Sequence, residues 1–143
     1  MYKLLLLFIG LVFSIQVFSQ TIGDTVISNS QQNLKVKVLY FHITNRCHTC
    51  NSIETNVRKA IFTYFQSALD SGNIALSIMN CELPENAEMA KKYSAYGATL
   101  AITTYKDGQE LTSEDISTWA FQKVHDSNVF ISELKSKLDL LLK

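Results

Sequence analysis

The chain contains very little proline and glycine, with one Pro and five Gly among 143 residues. This scarcity excludes collagen-like and Pro/Gly-rich low-complexity chains, and the 47% of apolar residues is typical of an ordered globular protein. Charge of one sign is also lacking, because 13 basic residues balance 13 acidic ones. There is no dense Lys/Arg cluster and no basic patch interleaved with aromatic residues, so no nucleic-acid partner is expected.

Several motifs of cofactor enzymes and hydrolases are missing as well. The sequence has no Gly-rich phosphate loop, no Gly-X-Ser-X-Gly and no His-Glu-X-X-His, so flavin, nucleotide and hydrolase chemistry have no support. Asn51 follows Cys50 where attachment of a c-type haem would require histidine. No cofactor is therefore expected other than a redox-active pair of cysteines.

Residues 1–19 are predicted to form a secretory signal peptide. Lys3 gives a basic start, Leu4 to Phe18 is an apolar run, and Ser19 precedes the expected cleavage before Gln20. An uncleaved anchor is the alternative, since the run is near the lower limit for spanning a bilayer. A membrane partner is expected only in that case. The expected location is periplasmic or secreted, where thiols are oxidised or under external redox control.

The rest of the chain is predicted to be an arm followed by one domain. Residues 20–33 are polar and are predicted to form an arm or tether. Residues 34–143 are long enough to form one domain with a single hydrophobic core. Hydrophobic spacing and turn residues predict, in order, a strand at 34–43, a helix at 47–69, a strand at 74–79, a short helix from Pro84, a strand at 99–105, a turn at 106–109, a short strand at 110–112 and a helix capped at Asp126 or Ser127. This order predicts an α/β domain with a central mixed four-stranded sheet flanked by helices.

Cys47 and Cys50 form a Cys-X-X-Cys motif where the first predicted strand meets the first predicted helix. A thiolate at a helix N-terminus is stabilised by unpaired backbone N–H groups. A disulfide that closes so small a ring contributes little to stability, so it is better suited to thiol-disulfide exchange than to a structural role. Zinc sites share the motif but usually draw two more ligands at regular spacing. The other candidate ligands are scattered: His42, His48, Cys81 and His125. A redox pair is favoured, with a soft-metal site at Cys47 and Cys50 or an inert local disulfide as alternatives.

Three neighbouring residues could adjust this chemistry. Arg46 and His48 flank Cys47, and positive charge on either favours the thiolate. The alternative for Arg46 is a solvated surface cation, and the alternative for His48 is a solvent-exposed helix-cap residue. His42, at the end of the predicted strand, is most simply a core or edge histidine. Cys81 could relay exchange or bind metal, but a free cysteine is commonly a small buried apolar residue.

The order of elements, with the cysteine motif at the first strand-to-helix junction, resembles the thioredoxin fold over residues 34–143. A more specific block resembles a small exported thioredoxin-like family described as a nitrophenyl-compound nitroreductase subunit. That block is Tyr40-Phe41-His42-X-Thr44-X-Arg46-Cys47-X-Thr49-Cys50, followed by Ile53-Glu54 and by Trp119-Ala120-Phe121. The resemblance implies that Cys47 is the exposed nucleophile and Cys50 the buried resolving thiol. It also implies a protein partner that supplies or accepts a dithiol or disulfide, or a role as an accessory subunit of a larger reductase.

Two departures from the thioredoxin pattern affect the expected site. The position of the cis-proline opposite the dithiol falls at Ala98 and Thr99, and a non-proline residue rarely adopts a cis bond. A reshaped substrate groove is therefore expected there. The buried acid six residues before the first cysteine is replaced by Phe41, so proton transfer at Cys50 would depend on His42 or water.

Overall fold

A computed structural model describes residues 25–27 and 33–143 of the chain. The predicted signal peptide and most of the predicted arm lie outside these residues. The elements in chain order are β1 (Thr25–Ile27), β2 (Val36–His42), α1 (His48–Tyr64), α2 (Gln66–Asp70), β3 (Ile74–Asn80), a 3-10 turn (Pro84–Asn86), α3 (Ala87–Lys92), β4 (Thr99–Lys106), β5 (Gln109–Asp115), α4 (Ser117–Lys123) and α5 (Ser127–Leu141). None of the helices in this described part is long and apolar enough to cross a membrane.

The predicted mixed four-stranded sheet is confirmed, and β1 adds a short fifth strand at one edge. The strand order is β1-β3-β2-β4-β5. Strands β2 and β3 are parallel, because α1 and α2 carry the chain back between them, whereas β4 is antiparallel to both β2 and β5. In the β4–β5 turn, Asp107 and Gly108 have φ values of 51° and 76°. Glycine adopts such positive values without strain, and aspartate tolerates them better than most residues.

Alternating side chains of the sheet enter two apolar clusters. One face of β2, including Val36, Val38 and Tyr40, packs with α1, α4 and α5 in the main core. The other face contributes Leu39 and Phe41 to a smaller cluster on the α3 side. This is the period of two expected for a strand that is buried on both faces. With helices on both sides, the architecture is compatible with the thioredoxin-like fold that the sequence resembles.

The observed helices differ from the predicted ones in two places. The predicted helix at 47–69 is interrupted at Phe65, whose backbone is not helical (φ −124°, ψ 19°) and whose ring is buried in the main core. Helix α4 was not predicted, because its seven residues are too few to show a hydrophobic period. In it, Trp119 packs on Phe130 with ring centres 4.7 Å apart and donates from Nε1 to Glu133. Trp119 is thus part of the core wall.

Candidate functional site

The predicted position of the cysteine motif is confirmed, since Cys47 and Cys50 stand where β2 leads into α1. Their sulfurs form a disulfide across a Cα–Cα distance of 5.1 Å. Cys47 is the N-cap of α1, and its sulfur accepts a hydrogen bond of 3.0 Å from the backbone N–H of Cys50. Cys47 is exposed whereas Cys50 is only partly exposed. The more exposed cysteine is therefore also the one whose sulfur accepts an N–H from the first turn of the helix.

The Arg46 side chain is held by an ion pair with Glu54, two helical turns into α1. The same carboxylate accepts a hydrogen bond of 2.6 Å from Nε of Arg58. Burial alone would raise the pKa of Glu54, but the hydrogen bonds from Arg58 and Arg46 outweigh it, and the pKa lies below its ordinary value. The Arg46 charge, predicted to act on Cys47, is thus largely compensated by this carboxylate.

Tyr40 connects the sheet to the cysteine motif. Its hydroxyl donates a hydrogen bond of 2.8 Å to the carbonyl oxygen of Cys50, and its ring lies 5.8 Å from the guanidinium carbon of Arg46. Burial raises the pKa of Tyr40, and the neighbouring arginine offsets part of that effect. Tyr40 is therefore a neutral donor at ordinary pH, and it fixes the first turn of α1 against β2.

The loop between β2 and α1 is anchored to the end of β3. The backbone N–H of Thr44 donates to the Glu82 carboxylate at 2.9 Å, and the Asn80 amide donates to the Thr44 hydroxyl at 3.0 Å. Glu82 in turn donates its backbone N–H to the Asn80 side chain at 3.0 Å. These bonds tie the two strand ends together, so the loop presents the cysteine motif from a rigid support.

His42 is nearly buried, with 8% of its surface exposed, at the end of β2. Its Nδ1 donates to the adjacent carbonyl oxygen of Ile43 at 3.0 Å. Within the described residues, the ring is not hydrogen-bonded to Cys47 or Cys50. Phe41, at the position of the thioredoxin acid, is fully buried in the smaller apolar cluster. The structure therefore offers a satisfied histidine near the site and an apolar residue in place of the acid.

Ala98 and Thr99 lie at the start of β4, at the end of the sheet that carries the dithiol. Thr99 pairs with Phe41 across the antiparallel ladder and is buried, and Ala98 packs against the main core. No peptide bond between described residues is cis. Both side chains are small, and their role in a groove opposite the dithiol stays a prediction.

Cys81 follows β3 and has its thiol free and partly exposed. It packs with Leu39, Phe41 and Met79 on the α3 side of the sheet, whereas α1 covers the opposite side. Burial, the largest effect, raises the pKa of the Cys81 thiol, a backbone hydrogen bond lowers it in part, and the Glu82 charge raises it further. A raised pKa disfavours the thiolate, and together with this packing it favours the interpretation of Cys81 as a packing residue.

Sequence reasoning did not assign a function to Tyr40, Glu54 or His125. Tyr40 and Glu54 appeared only as letters of the family-like block, and the hydrogen bond from Tyr40 to Cys50 depends on how β2 and α1 pack. Among the residues that the structure describes, no group of three or more His, Cys, Asp or Glu side chains is arranged to hold a metal ion.

Fold and site together define an α/β domain with an exposed disulfide at the N-terminus of its first helix. No protein-family model matches the chain, and no curated protein matches it. Among solved structures, the chain is similar to one described as "Structure of a malarial protein", at 23% identity over 64% of this chain and 98% of that chain, with a TM-score of 0.39. A likeness of this size does not identify a function.

Proposed function

We propose that the protein is an exported, thioredoxin-like thiol-disulfide oxidoreductase that exchanges electrons through Cys47 and Cys50. The observation that carries the proposal is the position of this disulfide, with an exposed cysteine at the N-cap of a 17-residue helix and a less exposed cysteine one turn later. A helix N-terminus favours the thiolate at its cap, and the thiolate is the form that attacks disulfides.

Exchange in the reducing direction has two steps. The Cys47 thiolate attacks one sulfur of a partner disulfide, whose S–S bond breaks, so a mixed disulfide forms and the other partner sulfur leaves as a thiolate. The Cys50 thiol loses its proton to water and attacks Sγ of Cys47, which releases the second partner thiolate and forms the Cys47–Cys50 disulfide. Two electrons pass to the partner, and the reverse sequence oxidises a partner dithiol.

The hydrogen bonds around the motif support a functional division between the two cysteines. Tyr40 holds the carbonyl of Cys50 and the Asn80 and Glu82 contacts hold the preceding loop, so the backbone on both sides of Cys47 is fixed by hydrogen bonds in the disulfide state. Export, and a partner that supplies or removes electrons outside the cytoplasm, belong to the same proposal. They depend on the predicted signal peptide at residues 1–19.

Alkylation and trapping test the proposal. In the reduced protein, Cys47 should react with iodoacetamide before Cys50, because it is the more exposed cysteine. The Cys50→Ser variant should accumulate mixed disulfides through Cys47, since the resolving thiol is gone, whereas Cys47→Ser should trap little. Faster reaction of Cys50, or thiols that react only after a chelator is added, would overturn the redox assignment, and the second result would support the soft-metal alternative.

Turnover and reduction potential define the role further. The purified domain should reduce insulin or a model disulfide when a chemical dithiol regenerates it. Reversible oxidation of the pair without turnover would instead indicate an accessory subunit of a larger reductase. The measured potential of the Cys47–Cys50 couple then assigns the protein as a reductant, an isomerase-like protein or an oxidant.

A further inference from the structure

Two histidines far apart in sequence line one surface depression next to the disulfide. His48 is the first residue of α1, and His125 lies in the turn between α4 and α5. The depression has a volume of about 200 Å³, and its other lining residues are Thr49, Ser52 and Val124. His48 and Thr49 are the two residues between the cysteines, so a group bound here would contact the same helical turn that carries the disulfide.

The lining residues offer hydrogen-bond donors and no negative charge. An imidazole donates at least one N–H in either protonation state, and the Thr49 hydroxyl can donate as well. Neither histidine ring is hydrogen-bonded to another described residue, and both are exposed. None of the five lining residues is acidic. Asp126, next to His125 in the chain, caps α5, and its Oδ1 accepts from the N–H groups of Asn128 and Val129, each at 3.1 Å.

We propose that this depression binds a carboxylate that lies a few bonds from the attacked disulfide sulfur of the substrate. The inference rests on the proposed exchange function and adds a substrate class to it. His48 and His125 are then specificity-determining residues that the fold brings together, and Val124, which is buried, forms part of the wall. An acidic residue next to a cysteine of a partner protein, or the carboxylate of a small thiol, has the required chemistry.

Matched small disulfides test this inference. The rate of oxidation of the reduced protein would be measured with a bis-carboxylate disulfide, with neutral hydroxyethyl disulfide and with the bis-ammonium compound cystamine. We expect the order carboxylate, neutral, ammonium. The His125→Gln variant should lower the ratio of carboxylate to neutral rates by about threefold, because an exposed charge-assisted contact contributes that much in water. His125→Lys should retain the preference, and Lys91→Gln, on the exposed surface of α3, serves as the control.

The outcomes separate this inference from the function on which it rests. If no disulfide oxidises the protein, the proposed exchange function is wrong. If the neutral disulfide reacts but the carboxylate preference is absent, or persists unchanged in His125→Gln, the carboxylate site is wrong and exchange stands. Disulfide peptides with Glu or Gln beside the cysteine identify the source. A preference for Glu supports a protein substrate, and a preference confined to the small disulfides supports a small acidic thiol.

Discussion

Replacement of Glu54 by Gln removes the carboxylate that binds both Arg46 and Arg58. The side chain of Glu54 is 14% exposed, and those of the two arginines are 21% and 31% exposed. Hydrogen bonds to charged groups contribute about 1.5–3 kcal/mol, and a partly buried guanidinium without a partner adds a desolvation cost. After a reduction for solvent screening, we expect the free energy of unfolding to fall by about 1.5–3 kcal/mol, or Tm by roughly 5–10 °C.

Asp139→Asn is the matched control, because Asp139 pairs with Lys135 one turn apart on the exposed surface of α5. An exposed pair of this kind contributes about 0.5 kcal/mol or less. Denaturant unfolding of the wild type and both variants, at neutral pH and with the disulfide intact, measures the difference. Equal losses in the two variants would refute the stabilising role of the Glu54 pair.

The pH dependence gives a second test of the same reasoning. The folded-state pKa of Glu54 lies below its ordinary value of 4.5, because the arginine hydrogen bonds outweigh the effect of burial. Its stabilisation is therefore present above about pH 4.5 and is lost as the pH falls towards the folded-state pKa. The gap in stability between wild type and Glu54→Gln should narrow below that pH. A gap that stays constant into strong acid would contradict the assignment.

The same substitution should affect the redox site. Without the carboxylate, the Arg46 charge next to Cys47 is no longer compensated, so the thiolate is favoured. Alkylation of reduced Cys47 at a fixed pH should become faster in Glu54→Gln, while Asp139→Asn leaves it unchanged. Slower alkylation would show that Glu54 acts on the cysteine in another way.

Three further predictions follow from individual residues. Cys81→Ser should keep both folding and disulfide turnover, because the thiol packs on the α3 side of the sheet and its pKa is raised; a loss as large as that of Cys50→Ser would make Cys81 a relay. Tyr40→Phe should lower the free energy of unfolding by about 1 kcal/mol, since it deletes the donor to the Cys50 carbonyl, and an unchanged value would show that this bond contributes nothing. Protein recovered from the cell envelope should have an intact mass that starts at Gln20, and retention of Met1 in a membrane fraction would indicate an anchor.

The sequence by itself determined the features that depend on short spacings along the chain. The Cys-X-X-Cys motif, the strand before it and the helix after it could be predicted because periodicity, turn residues and capping are local. The turn at Asp107 and Gly108 could be predicted for the same reason, since both residues tolerate the positive φ that the hairpin requires. The mixed four-stranded sheet could be predicted from the order of the strands and helices along the chain.

The tertiary structure alone decided which distant side chains surround the motif. It directs Arg46 towards Glu54, places the Tyr40 hydroxyl on the Cys50 carbonyl, and brings His125 to the depression beside His48. It also interrupts the long predicted helix at Phe65, whose ring is buried in the core. Such contacts depend on how the sheet and helices pack as a whole, and no short stretch of sequence contains that information.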